Sequence, residues 1–219
     1  MSLRTKPTQA RSAARIDGIL GGAASIVDEV GVERLSTNLV ATRADCSIGT
    51  LYRYFPDRHA VLRALALRHI ADVHAEVSAS AHARQGEIGG LESLLLCYPQ
   101  YLVRRFRTQP GFRAIAYDHA FELPPRDDER YLLGHALGSD RSPAAQIAAD
   151  VARAFARPGA EAVALASDLE LFAILVLALV DRAFAASPEG SATLIEDAER
   201  YAAREARRIL SGFEPAFAR

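Results

Sequence analysis

The sequence predicts an all-α protein in two parts, a three-helix N-terminal domain and a larger C-terminal helical domain. Three observations carry this. Residues 36–62, STNLVATRADCSIGTLYRYFPDRHAVL, read as two short capped helices joined by a tight turn and followed by a third helix. The long segments before and after them repeat apolar residues at helical spacing. No convincing strand pattern, internal repeat or low-complexity tract interrupts them. The expected boundary separates residues 1–60 from 61–219, with residues 1–10 expected to be disordered.

Each element follows from its residues. Arg11 to Val30 is the first predicted helix, with Ile16, Ile19, Leu20, Ala23, Ile26, Val27 and Val30 on its apolar positions and Gly31 as its C′ residue. Gly18, Gly21 and Gly22 each cost ~1 kcal/mol of helix propensity relative to Ala, so this helix must lean on its neighbours. Ser36 caps the second helix, in which Leu39, Val40 and Ala44 form an apolar stripe and Ala41 is the small packing residue. Asp45-Cys46 breaks it. Ser47 caps the third helix, and Pro56 stops it because the residue before a proline resists helical geometry. Asp57 caps a long helix to about Ala83, with Val61, Leu62, Leu65, Ile70, Val73 and Val77 as its buried stripe. Beginning in one domain and ending in the next, it can carry motion between them.

Gly86 to Gly90 is a linker. Leu91 to Arg107 is a helix that Pro99 should kink. Pro110 is expected to start another, carrying Phe112, Ile115 and Tyr117. Phe121 to Arg126 is a loop marked by Pro124-Pro125, and Asp127 to His135 a short helix. Ser142-Pro143 caps a helix with Ile147, Val151 and Phe155, which Pro158-Gly159 ends. Ala160 to Ala186 is long and apolar on all sides between Leu171 and Val180, so it must be buried from several directions. Ser191 to Leu210 forms the last helix, with Leu194, Ala198, Tyr201 and Ile209 as its stripe and Glu196/Arg200 as an i,i+4 pair.

Half of the 219 residues are hydrophobic and the net charge is −1, unlike a nonspecific DNA-coating protein. Residues 1–60 hold eight Lys/Arg and six Asp/Glu, a net of +2, which leaves −3 for the rest. That bias is weak but fits phosphate contact at the N-terminal end, to which Arg4 and Lys6 could add. Cys46 and Cys97 suggest no disulfide framework and a reducing compartment. The N-terminus lacks the apolar core of a signal peptide, and the run Leu171–Val180 is short of the ~20 residues a membrane span needs. A cytoplasmic protein without a membrane partner is expected.

Two short helices with a tight turn between them suit DNA: one enters the major groove and the other braces it on the backbone. In the second, Gly49 would let the backbone approach the duplex. Thr50 and Tyr52 carry hydroxyls suited to phosphate oxygens, Arg53 can reach guanine or phosphate, Ile48 can touch a thymine methyl, and Ser47 and Tyr54 are further candidate DNA contacts. Leu51 and Phe55 are core.

Residues 15–62 resemble the DNA-binding domain of the tetracycline-repressor-like (TetR) family of bacterial regulators. The resemblance rests on Ile19-Leu20, Ala23-Ala24, Gly31, Leu35-Ser36-Thr37, Val40-Ala41, Ser47 and Gly49-Thr50-Leu51-Tyr52-Arg53-Tyr54-Phe55. Asp45 and Cys46 replace the usual Gly-Val of the turn, and His59 replaces a common Glu. Asp tolerates left-handed backbone and Cys is a small hydrophobe, so the turn should survive. By this resemblance Thr37 should bind phosphate, Asn38 reach a base, and Arg58 act as the family's phosphate-binding lysine does. It also implies a homodimer through the last two long helices and a small-molecule effector that releases a repressor from double-stranded operator DNA.

The aromatic residues of the middle admit two readings, plain core or the lining of an effector cavity. Tyr98, Tyr101, Phe112, Tyr117, His119 and Phe172 are the candidate effector residues, with Tyr98, Tyr101, Phe112 and Tyr117 expected near one another around the kinked helix. His69, Asp72 and Glu76 have the helical spacing of metal ligands, but a solvated polar face explains them more simply. No nucleotide loop, zinc spacing or nucleophile elbow is present, so no cofactor, metal or enzymatic activity is expected. The alternative reading is a helical small-molecule carrier or sensor that binds no specific operator.

Overall fold

A computed structural model describes residues 10–87, 89–123 and 141–212, and these contain helices and turns without a strand. The helices are α1 (Ala10–Val30), α2 (Thr37–Arg43), α3 (Ile48–Tyr54), α4 (Arg58–Ala83), α5 (Gly90–Thr108), α6 (Pro143–Phe155), α7 (Ala160–Phe184) and α8 (Ala192–Ser211), with a 3-10 segment over Phe112–His119. The readings placed on Arg4 and Lys6, on Pro124-Pro125 and on a helix over 127–135 lie outside the described residues.

The chain forms two compact units, Met1–Ala71 with Gln109–Asp140, and Asp72–Thr108 with Arg141–Arg219. The division therefore falls inside α4 rather than at residue 60, and a later segment returns to the first unit. Specific contacts explain the return. Gly111, at φ +72°, lies so close to α1 that a Cβ there would meet the Ala24 Cα at 2.6 Å. Its N–H donates to the Asp28 carboxylate at 2.9 Å, and Arg63 donates to the Asp118 carbonyl at 3.0 Å. Apolar periodicity carries no information about such pairings.

In the first unit α1 packs on α2 and on the 3-10 segment, burying Ile16, Ile19, Leu20, Ala23, Ile26 and Val27. Gly22 admits the end of α2, whose Ala44 nitrogen lies 3.3 Å from where a Cβ would be. Arg43 clamps the same junction by a bidentate pair with Glu29 at 2.6 and 2.7 Å. Val30 and Leu39, expected in apolar stripes, are exposed. The helix expected after Pro110 is instead the 3-10 segment, broken where Tyr117 is extended and Asp118 is left-handed.

In the second unit α7 packs against α6, α8 and α5. Pro99 is buried inside α5, which stays one helix from Gly90 to Thr108. Phe106 stacks on Phe184 with centroids 5.0 Å apart. The buried His74 ring meets Asp150 at 2.5 Å, joining α4 to α6. By length and composition α7 could cross a membrane. Here it buries Leu165, Leu169, Phe172, Val176, Leu177, Val180 and Phe184 against its neighbours. Part of its apolar surface is open: Leu171 is 53% and Leu175 38% exposed.

Candidate nucleic-acid interface

Two side-chain caps build the helix-turn-helix. The Ser36 hydroxyl accepts the Leu39 N–H at 3.3 Å, and the Ser47 hydroxyl accepts the Thr50 N–H at 3.1 Å. Each satisfies a donor that a helix start leaves unpaired. Between them Asp45 takes φ +46°, so the left-handed turn survives without the usual glycine. The Cys46 N–H closes it by donating to the Ala41 carbonyl at 3.0 Å. Asp57 starts α4, its carboxylate accepting the Ala60 N–H at 2.8 Å. Leu51 and Phe55 are fully buried and fix the inner face of α3. Asn38, Ser47, Ile48, Gly49, Tyr52 and Arg53 are exposed, with Thr37, Thr50 and Arg58 half-buried beside them.

The polar groups on this face are tied to one another. The Thr37 and Tyr52 hydroxyls share a hydrogen bond at 3.2 Å, coupling α2 to α3. Ser47 and Thr50 share another at 2.9 Å. When two hydroxyls share one bond, one proton is left to donate outward, which suits a phosphate oxygen. A Cβ added at Gly49 would meet only the Ser47 hydroxyl, at 3.9 Å. The fold itself therefore does not require glycine there. Arg58 donates to the Glu33 carbonyl at 2.9 Å and so also braces the turn between α1 and α2.

Tyr54 departs from its expected place. It is 3% exposed, because its ring fills the inner side of α3. Its hydroxyl accepts from Arg53 at 2.9 Å, and the guanidinium lies over the ring, 4.9 Å from its centroid. A hydrogen bond from Ser12, then the bond and charge of Arg53, lowers the phenol's pKa against the opposing effect of burial. Tyr54 thus holds Arg53 and the start of α1. Neither this link nor the Arg43–Glu29 clamp was read from the sequence, because both partners in each are ordinary surface residue types.

The expected effector residues do not form one cluster. Tyr98, Tyr101 and Phe172 come together in the second unit: Tyr98 stacks on Tyr101 at 6.2 Å and meets Phe172 at 6.0 Å. Phe112, Tyr117 and His119 belong to the first unit. There Phe112 is buried against the His69 ring at 5.5 Å, the Tyr117 hydroxyl bonds His59, and the exposed His119 lies 3.4 Å from Glu122. The expected polar face of α4 is also broken up, since His69 is buried and Glu76 pairs with Arg105 at 2.6 Å. Among the described residues no three His, Cys, Asp or Glu side chains are grouped to hold a metal.

Between α4 and α5 of the second unit lies a cleft of about 540 Å³, lined by Glu76, Ser80, Arg84, Tyr98, Tyr101 and Arg104 among others. Burial pushes the Tyr101 phenol up to about 12, against the lowering effect of Arg105. Burial, then Tyr101, raises the Tyr98 phenol as well. The sequence reading found the tyrosines but not Arg84 and Arg104, which look like solvated charges until the helices are paired.

Among the described residues, a capped helix-turn-helix joined to a second helical unit is the architecture of helical transcription regulators. Residues 19–65 match the family described as "Bacterial regulatory proteins, tetR family". Two uncharacterised HTH-type transcriptional regulators of Mycobacterium tuberculosis, from strains CDC 1551 and H37Rv, are each 39% identical over 67 residues, 31% of this chain and 35% of theirs. The match thus spans about a third of the length of these curated relatives. A TetR-family transcriptional regulator from Streptomyces coelicolor is similar over 91% of this chain and 99% of its own, with 28% identity and a TM-score of 0.55. A TetR regulator from Rhodococcus sp. RHA1 shares the fold over 94% of this chain and 100% of its own, at 20% identity and a TM-score of 0.58. The helix-turn-helix of residues 19–65 is thus of the TetR family, and the chain as a whole shares the fold of TetR-family regulators.

Proposed function

We propose that this protein is a homodimeric repressor that binds an operator through α3 and leaves it when a small molecule binds the second unit. The observation that carries the reading is the outer face of α2 and α3. Its fold-fixing residues point inward, while Asn38, Ile48, Gly49, Tyr52 and Arg53 remain exposed. That is the division of labour a major-groove reader needs. Open apolar surface on α7 supports the dimer, since Leu171 and Leu175 are large apolar side chains left in water by one chain. Two copies would set two α3 helices on half-sites ~34–36 Å apart or a multiple of that.

The release step rests on α4, one continuous helix with residues in both units. A ligand that prefers one setting of α4 lowers operator affinity by the same factor by which operator lowers its own. The test is to select bound fragments from genomic DNA, then measure binding of the recovered site against competitor DNA over a salt series. Specific binding by a dimer is the expected result. Equal affinity for competitor would favour a carrier or sensor without an operator.

A further inference from the structure

We infer that the α4–α5 cleft binds a small amphipathic carboxylate, with its head at Arg84 and Arg104 and its apolar end beside Tyr98. This rests on the reading that the second unit is the effector-binding unit, and it names the chemical class of that effector.

The charges decide the head group. Among the described residues the Arg84 guanidinium, just past the end of α4, bonds the carbonyl and hydroxyl of Ser80, both neutral acceptors. Arg104 lies 5.7 Å from the Tyr101 ring centroid and has no carboxylate partner among the described residues. Both line the cleft. Glu76 lines it too, but its charge is answered by Arg105 at 2.6 Å. The cleft therefore offers two guanidiniums without a carboxylate, and such groups hold carboxylates in charge-assisted hydrogen bonds. The nearby Glu76 carboxylate would repel a second negative charge, so a monoanion fits better than a phosphate dianion.

The apolar end follows from Tyr98. Its side chain lines the cleft and also a 40 Å³ apolar cavity walled by Ile147, Val151, Leu169 and Phe172. Val77 and Leu94 border both spaces. Tyr98 is 9% exposed, so its ring offers apolar surface that connects the two spaces. The cavity is large enough for the end of an alkyl chain and has no polar partner for water.

The experiment is calorimetric titration of the full chain with octanoate, octanamide, octyl phosphate and acetate. Octanoate should bind. Acetate, which lacks the tail, should not, and octanamide and octyl phosphate should bind more weakly. Arg104→Gln should weaken octanoate ~10-fold, the effect of losing one charge-assisted bond, and leave octanamide unchanged. Arg84→Gln should do the same, and unaltered circular dichroism would show that both variants fold. No octanoate binding, equal binding of octanamide, tighter binding of octyl phosphate, or indifference to both substitutions would overturn the inference. A parallel titration with the selected operator separates the two readings. Octanoate that binds the free protein without lowering operator affinity would support the site and refute its role in release.

Discussion

The helix-turn-helix and the α4–α5 cleft are built in opposite ways. In the first, caps, turn and outward-facing residues all fall within residues 36–62, and the caps and the turn are fixed by partners a few positions away. In the second, the side chains come from helices that meet only when the unit folds. A site of the first kind tolerates change in the rest of the chain, whereas one of the second kind moves whenever its helices shift. That suits one for reading a constant operator and the other for sensing a ligand.

Changes at four places would break or sharpen this contrast. The largest effect is expected from Tyr52→Ala combined with Arg53→Ala. Both side chains are exposed on α3, so helix content should be unchanged while specific operator affinity falls ~100-fold or more, at roughly 1–3 kcal/mol per lost contact. Gel-shift titration beside circular dichroism would read both. Next comes α7. Val176 is fully buried within one chain, so Val176→Asp should prevent folding, with a penalty of several kcal/mol or about 4. Leu171→Glu, on the open side of the same helix, should leave a folded monomer in sedimentation. A folded dimer carrying Leu171→Glu would remove α7 from the interface.

A smaller effect is expected at alkaline pH. The folded Tyr101 pKa of about 12 exceeds the ordinary value of 10.0, so the native state holds the phenolic proton more tightly than the unfolded chain does. Its contribution is present below the unfolded pKa and is lost as pH rises from there through the folded value. Denaturant midpoints should fall across that window, and Tyr101→Phe should reduce the fall. Tyr98 is raised as well and should leave a remainder. The smallest effect is expected from Arg58→Ala. It should lower the slope of log affinity against log salt by roughly one without changing sequence preference. Its bond to the Glu33 carbonyl adds only a slight loss of stability.

The same contrast explains how much could be read from the sequence. The caps at Ser36, Ser47 and Asp57, the left-handed Asp45 and the C′ glycine Gly31 were all legible, because each depends on local backbone chemistry. Tyr54 was misplaced because both faces of α3 carry tyrosine, and only packing decides which is core. The aromatic set was read as one cluster because the region is continuous in sequence. Gly111 and Asp118 turn the chain back to α1 and α4 through contacts 83 and 55 positions apart. Pro99 lies inside α5, which runs from Gly90 to Thr108: a missing donor within a helical pattern does not by itself end the helix.

The central claim is that the exposed face of α3 reads a specific DNA sequence. The most direct measurement is the affinity of the wild-type protein for its selected site and for competitor DNA, at one fixed salt concentration. Specific affinity should exceed nonspecific affinity by at least ~10³-fold, with contacts in two half-sites, and the Tyr52→Ala, Arg53→Ala chain should lose that excess. Equal affinity for both DNAs, or an excess unaltered by the double substitution, would contradict the account.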